Sequence, residues 1–195
     1  MVGCPEPNPR YLSCMKWIAA LWLTASTTWA NPMILEDFTD GEASGWSYVS
    51  DRVMGGVSNG GAQFLSEGDT TFARLAGQVS TANNGGFIQI RRQLSAPFPE
   101  GSTGLTLTAR GNGERYYIHL RPTTSRRPWQ YYAASFESSE DWSEVTLNWS
   151  DFKPQGGLPV GFDPAQITSL GIVAYGADYE AELDVRTVEV LSPSS

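Results

Sequence analysis

Short apolar runs separated by turn residues are the feature that most limits how this chain can fold. Eleven such runs are rich in β-branched and aromatic residues, and each is closed by Gly, Pro, Asn or Asp. No window of helical length repeats its apolar side chains with the period of a helix. The pattern predicts an all-β sandwich or jelly roll. The predicted strands are 33–38, 46–50, 62–66, 71–79, 87–94, 104–110, 116–122, 129–136, 144–149, 167–174 and 181–191.

The start of the chain has the three parts of an export signal. Lys16 precedes the apolar run 17–23, and Thr28 and Ala30 fit the −3 and −1 positions of a signal-peptidase site. The apolar run is too short to span a bilayer. We therefore expect an exported protein, periplasmic or secreted. A disordered extension on a cytosolic protein is the alternative.

The predicted layout has three parts. Residues 1–30 form the signal peptide, with Met15 as an alternative start. Residues 31–191 form a single β-sandwich domain, and residues 192–195 a frayed tail. After cleavage we expect no integral membrane segment.

Composition excludes several functional classes for the exported domain. Both cysteines, Cys4 and Cys14, lie in the predicted signal peptide, so the domain has no disulfide, thiolate nucleophile or cysteine metal site. The formal net charge is −8, and removal of Arg10, Lys16 and Glu6 makes it more negative by one. An acidic chain binds nucleic acid and anionic membranes poorly. We predict no cofactor, no metal and no nucleic-acid partner.

Catalytic constellations are also missing from the sequence. His119 is the only histidine, and no Gly-x-Ser-x-Gly elbow supplies a nucleophile for it. The acids of 137–144 are close in sequence, but they resemble a solvated loop more than a pair of carboxylates on a cleft floor. The glycines of 111–113 lack the third glycine of a dinucleotide fingerprint and precede a strand, which predicts a hairpin turn. The sequence therefore predicts a non-catalytic protein.

Strand alternation predicts one aromatic surface. In 116–122, Tyr116, Ile118 and Leu120 form an apolar face, so alternate residues face outward. If 129–136 pairs with this strand, aromatic rings and an arginine share that outward face. Such a set suits the apolar faces of sugar rings or a peptide, and the alternative is an aromatic strand pair packed under a loop. The candidate ligand-binding residues are Tyr117, His119, Arg121, Trp129 and Tyr131.

Two glycine pairs predict a rigid corner between strands. Residues 51–58 contain Gly55-Gly56 and residues 83–87 contain Gly85-Gly86, and glycine pairs permit positive φ or close backbone approach. We expect the two segments to pack together, with Asp51 accepting backbone N–H bonds and Met54 plugging the sandwich. The alternative function of this corner is a contact surface for a partner protein. The motif residues are Asp51, Val53, Met54, Gly55, Gly56, Ser58, Asn83, Asn84, Gly85, Gly86 and Phe87.

These motifs resemble the complex I intermediate-associated protein family of the thirty-kilodalton type. The Val-Met-Gly-Gly-x-Ser core at 53–58 and Asn-Gly-Gly-Phe at 84–87 carry the resemblance, which extends over 34–191 through Phe72, Arg91 and Trp142. It implies a galactose-binding-like jelly-roll sandwich of about ten strands, similar to some carbohydrate-binding modules. It also implies assembly or chaperone activity toward respiratory NADH:ubiquinone oxidoreductase, as in mitochondrial members, without catalysis.

The export signal combined with this resemblance leaves two functions open. The first is an exported, bacterial-type binding protein that acts as an assembly or chaperone-like factor for an envelope protein complex and has a protein partner. The second is a carbohydrate-binding module that takes a glycan on an aromatic concave face.

Overall fold

Twelve β-strands form two antiparallel sheets in the computed structural model, which describes residues 1–3, 33–39 and 45–192. Most of the predicted signal peptide and tail lie outside these residues. The strands are β1 (Met33–Glu36), β2 (Trp46–Ser50), β3 (Asn59–Glu67), β4 (Thr70–Val79), β5 (Phe87–Gln93), β6 (Gly104–Gly111), β7 (Arg115–Pro122), β8 (Tyr132–Glu137), β9 (Ser143–Asn148), β10 (Lys153–Pro154), β11 (Ile167–Tyr175) and β12 (Tyr179–Leu191).

Each sheet contains six strands. Sheet 1 has the order β3-β4-β12-β6-β9, with β1 beside β12, and sheet 2 has the order β10-β8-β7-β11-β5-β2. The inward faces of both sheets form one core, because period-two alternation gives the longer strands an apolar side. Tyr116, Ile118 and Leu120 of β7 are fully buried, as are Ile172 and Ala174 of β11. This architecture confirms the predicted all-β, galactose-binding-like jelly-roll sandwich.

Every predicted run overlaps a strand, but the run 129–136 begins too early. The chain turns before β8, because the N–H groups of Arg126 and Arg127 donate to Gln130 Oε1 and the Gln130 N–H donates to Arg127 O. Residues 129–131 therefore precede the strand, and the predicted extension of the strand over them is wrong. The two-residue strand β10 was not predicted, since it is too short to show alternation.

The predicted hairpin at 111–113 is also wrong, because β6 belongs to sheet 1 and β7 to sheet 2. The turn crosses between the sheets, and Asn112 fastens it. Its N–H and its side-chain amide donate to the carbonyls of Glu182 and Glu180, and its Oδ1 accepts from Tyr116 Oη at 2.7 Å. Glycine and asparagine indicate a turn, but they carry no information about which sheet the next strand joins.

A short 3-10 turn lies at Pro164–Gln166, where Asp163 Oδ1 accepts from the Ala165 N–H at 3.0 Å. Within residues 1–3, 33–39 and 45–192, no helix is long and apolar enough to cross a membrane. In the same residues, no group of three or more His, Cys, Asp or Glu side chains is placed to hold a metal ion.

Candidate functional site

A tight turn follows β2 and begins the first candidate site. Residues Asp51–Met54 form a single turn of 3-10 helix, and Gly55 ends it with φ 93°. The N–H of Gly56 donates to the Asp51 carbonyl at 3.0 Å. Positive φ at Gly55 is readily adopted only by glycine or asparagine, so the first glycine of the pair reverses the chain.

The Asp51 side chain is the centre of this turn. It is 0% exposed, and it accepts hydrogen bonds from Ser58 N at 3.0 Å, Gly86 N at 2.6 Å, Phe87 N at 3.3 Å and Ser58 Oγ. Burial alone raises the pKa of Asp51, but the hydrogen bonds from Ser58, Gly86 and Phe87 outweigh burial and lower its pKa below the usual range. The carboxylate therefore joins residues 51–58 to 83–87, and these two segments are called the motif corner.

Glycine makes room for this carboxylate on both sides. A Cβ at Gly56 would lie 2.3 Å from Asp51 Cγ, and a Cβ at Gly85 would lie 2.4 Å from Asp51 Oδ2. Asn83 and Asn84 adopt φ values of 58° and 57°, which asparagine tolerates better than most residues. The glycines and asparagines of the motif thus satisfy the packing around one buried acid.

The apolar side chains of the motif corner face outward. Val53, Met54 and Val57 are 76%, 55% and 46% exposed. The expectation that Met54 plugs the sandwich is wrong, because the Asp51 carboxylate occupies the inward side of the turn. The corner therefore presents three apolar side chains on a loop that the buried acid fastens.

The second candidate site is the outer face of sheet 2. Tyr117 and His119 project outward from β7, and the Tyr131 ring stacks on the His119 ring with centroids 3.9 Å apart and an interplanar angle of 16°. Tyr175, at the end of β11, meets Tyr117 edge-on at 5.7 Å and His119 at 5.8 Å. These four side chains, Tyr117, His119, Tyr131 and Tyr175, are called the aromatic face.

His119 is held neutral at the centre of the aromatic face. Only 8% of it is exposed, and burial, assisted by the charge of Arg121, lowers the pKa of His119 to about 3. In the part of the chain that the structure describes, no hydrogen bond joins His119 to a hydroxyl or a carboxylate. His119 therefore stacks as a flat neutral ring, and this environment provides no activated nucleophile.

This burial predicts a measurable pH dependence of stability. His119 has a lowered pKa in the folded state, so its contribution to stability is complete above its unfolded pKa and decreases as pH falls. The free energy of unfolding should drop by up to about 1.4 kcal/mol per pH unit from about pH 6.5 to pH 4.5. Urea unfolding of the wild type and His119→Gln at pH 7, 6 and 5 measures this slope. An equal slope in both proteins would show that burial of His119 does not cause it.

Arg121 borders the aromatic face and ties a loop to it. Its guanidinium donates to the Pro128 carbonyl in the β7–β8 connection. Burial first, and then the charge of Arg91, lower the pKa of Arg121 below its ordinary value. Burial has the opposite effect on the neighbouring phenol and raises the pKa of Tyr131. Arg91 and Arg121 lie on the same face of sheet 2, opposite the neighbouring outward positions Gly171 and Ser169 of β11.

Four of the five predicted ligand-binding residues lie together, and Trp129 does not. Trp129 is 49% exposed in the turn before β8, with the Arg127 guanidinium 5.4 Å from its ring centroid. The assignment of Trp129 to the strand face is therefore wrong. Tyr175 was not found from the sequence, because the pairing of β11 with β7, in which Val173 opposes Tyr117, is not visible in either run alone.

Two cavities lie away from both candidate sites. One of about 340 Å³ is lined by Trp149, Phe152 and Phe162, and another of about 270 Å³ by Arg74, Arg110 and Asp184. The second is bounded by an ion-paired network on sheet 1. None of the four side chains of the aromatic face lines either cavity.

Comparison with known protein families gives one match over most of the chain. The family described as Complex I intermediate-associated protein 30 matches residues 36–185, which contain both segments of the motif corner and the whole aromatic face. No curated protein matches the chain in sequence.

Solved structures with a similar fold include carbohydrate-binding modules. The Family 11 Carbohydrate-Binding Module of cellulase Lic26A-Cel5E from Clostridium thermocellum superposes with a TM-score of 0.69 at 12% identity, covering 85% of this chain and 97% of that one. A Family 11 module of the same organism in complex with a β-1,3-1,4-mixed-linked tetrasaccharide gives 0.67 at 13% identity, covering 83% and 95%. An exo-β-agarase gives 0.58 at 9% identity, covering 84% and 25%. These similarities show the fold.

Proposed function

Because the chain belongs to the Complex I intermediate-associated protein 30 family, we propose that it is a non-catalytic, exported binding protein that assists the assembly of an envelope protein complex. The motif corner is the surface that binds its protein partner. The family name supports a protein partner, and the export signal in the sequence supports the envelope location.

The outward position of Val53, Met54 and Val57 is the observation that carries this proposal. The Asp51 hydrogen bonds hold the backbone of the loop in place, so burying these side chains against a partner costs little ordering of the chain. Exposed apolar side chains on a fixed loop are typical of protein contact sites. The loop therefore combines rigidity with an apolar contact surface.

Charge introduced at this surface should weaken partner binding without unfolding the protein. We expect Met54→Asp to change the free energy of unfolding by no more than about 0.5 kcal/mol, because Met54 is an exposed side chain. Binding to the envelope partner should weaken by about tenfold or more, as for an interface residue that makes a central contact. Affinity chromatography of envelope fractions with wild type and variant, quantified by mass spectrometry, measures the loss.

Val160→Asp is the matched control for that substitution. Val160 is 87% exposed and lies outside the motif corner. It should leave partner recovery unchanged. Equal loss of the partner with Val160→Asp, or undiminished recovery with Met54→Asp, would contradict a contact at the motif corner.

The aromatic face favours glycan binding as a second candidate function. The Tyr131 ring stacks on the buried His119 ring and lies beside Tyr117 and Tyr175, and together these side chains provide an aromatic surface for the apolar face of a sugar ring. The Family 11 modules of similar fold, one of them solved with a bound tetrasaccharide, are compatible with this candidate.

Removal of one ring tests this candidate. Tyr131→Ala should reduce the affinity for a bound glycan by about tenfold, since stacking contacts of an aromatic ring are lost. Isothermal titration calorimetry with the wild type, with Tyr131→Ala and with the exposed Trp129→Ala measures the effect. A larger loss with Trp129→Ala than with Tyr131→Ala would place the glycan on the turn before β8 and away from the aromatic face.

A further inference from the structure

Two arginines, Arg91 and Arg121, lie beside the aromatic face. Arg91 on β5 and Arg121 on β7 form no ion pair with any described residue. On sheet 1, in contrast, Arg74 and Arg110 both bond the carboxylate of Asp184, at 2.7 and 2.9 Å. Asp184 thus neutralises Arg74 and Arg110 on sheet 1. No described acid does the same for the two arginines on the outer face of sheet 2.

Acidic side chains are missing from the outward positions around these arginines. The outward positions of β5, β11 and β7 are those that alternate with the core residues. Within Phe87–Gln93, Ile167–Tyr175 and Arg115–Pro122 they carry Phe, Arg, Gln, Ser, Gly, Val, Tyr and His side chains. On β8, Glu137 is ion-paired with Arg115 at 3.0 Å. In a chain with a net charge of −8, this face is a local positive region.

The sheet register places the arginines around a buried hydroxyl and a glycine. Gly171 of β11 lies between His119 and Arg91, and Ser169 lies between Arg121 and Gln93. Ser169 is only 2% exposed, and its Oγ has no hydrogen-bond partner among the described residues. An unpartnered buried hydroxyl is costly, and a ligand oxygen that accepts from Ser169 Oγ and from a guanidinium would satisfy it.

We infer that the ligand of this surface is an acidic glycan, one whose sugar rings carry carboxylate or sulfate groups. The inference rests on the glycan-binding candidate and names its substrate class. The sugar rings stack on the aromatic face, while the anionic groups bond Arg91 and Arg121. A planar guanidinium offers paired N–H donors that match the oxygens of a carboxylate or a sulfate, which a neutral glycan does not supply.

Calorimetric titration of the purified protein with glycans of different charge tests the inference. The probes are polygalacturonate for carboxylates, dextran sulfate for sulfates, and dextran and mixed-linked β-glucan as neutral glycans. We expect at least one acidic glycan to bind with affinity that falls as salt is raised. Arg91→Gln and Arg121→Gln should each weaken that binding by about tenfold.

The control variant is Arg186→Gln, an exposed arginine of β12 in sheet 1, which should bind as the wild type does. Thermal unfolding of each variant checks folding, and Arg91→Gln keeps the test valid if Arg121→Gln unfolds. Equal weakening by Arg186→Gln would show non-specific attraction and would overturn the inference. Binding of polyglutamate as tightly as the acidic glycan would indicate an acidic peptide as the ligand and would also overturn it. Binding of a neutral glycan alone, lost in Tyr131→Ala, would overturn the acidic class but keep the glycan function. Binding of none of the probes would overturn both.

Discussion

Replacing Asp51 by alanine is expected to lower the free energy of unfolding by about 3–5 kcal/mol. The carboxylate is fully buried, and its removal leaves the N–H groups of Ser58, Gly86 and Phe87 without their acceptor. The effect should extend to the aromatic face. Gly86 also accepts from the Gly176 N–H at 2.9 Å, and Phe87 pairs with Tyr175 in the sheet. Urea unfolding of wild type and variant at pH 7 measures the loss.

Asp178→Ala is the matched control for Asp51→Ala. Asp178 also accepts from a backbone N–H and a hydroxyl, both of Thr81, but these bonds are exposed, so a much smaller loss is expected. The lowered pKa of Asp51 means that its contribution is complete above its unfolded pKa of about 4 and is lost as pH falls below that value. The difference between wild type and Asp51→Ala should therefore shrink below about pH 4. Similar losses from Asp51→Ala and Asp178→Ala would contradict the structural role of the buried acid.

The adjacent glycines of the motif should respond very differently to substitution. Gly56→Ala places a Cβ 2.3 Å from Asp51 Cγ, so the carboxylate must leave its hydrogen bonds, and we expect a loss of about 3 kcal/mol or more. Gly55→Ala meets no atom within 4 Å, and its cost of about 1 kcal/mol comes from positive φ alone. Chemical denaturation of the two variants measures the contrast.

Gly55→Asn separates the two causes. Asparagine tolerates positive φ, so this variant should recover part of the stability lost in Gly55→Ala. Gly56→Asn should remain as unstable as Gly56→Ala, because the obstacle there is the Asp51 side chain. Recovery at position 56 would show that the carboxylate moves aside without cost, and the corner would then be less rigid than the hydrogen bonds indicate.

The strands were largely predictable because period-two alternation and turn residues are local signals. Tyr116, Ile118 and Leu120 were assigned to the core from spacing alone, and all three are fully buried. The failures are non-local. The turn at 129–131 depends on the Gln130 side chain bonding residues 126 and 127, and the crossing at 111–113 depends on Asn112 bonding β12. Propensity and alternation do not encode these contacts.

The candidate sites were also predictable only where the signal in the sequence is local. An acid beside glycine pairs indicated that Asp51 would accept backbone N–H bonds, and it bonds both segments. The direction in which Met54 points depends on what occupies the interior, which the sequence does not show. Tyr175 and Arg91 join the outer face of sheet 2 only through the register of β11 with its two neighbours.

Site-specific photo-crosslinking tests the proposed protein-binding function most directly. A photoreactive residue is placed singly at Val53, Met54, Val57 or Val160, all exposed, and the protein is crosslinked in cells of its own host. Mass spectrometry then identifies each crosslinked product. We predict that the three positions of the motif corner crosslink to the same envelope protein and that Val160 does not. Crosslinking from Val160 alone, or equal crosslinking of that protein from all four positions, would contradict the motif corner as the binding surface.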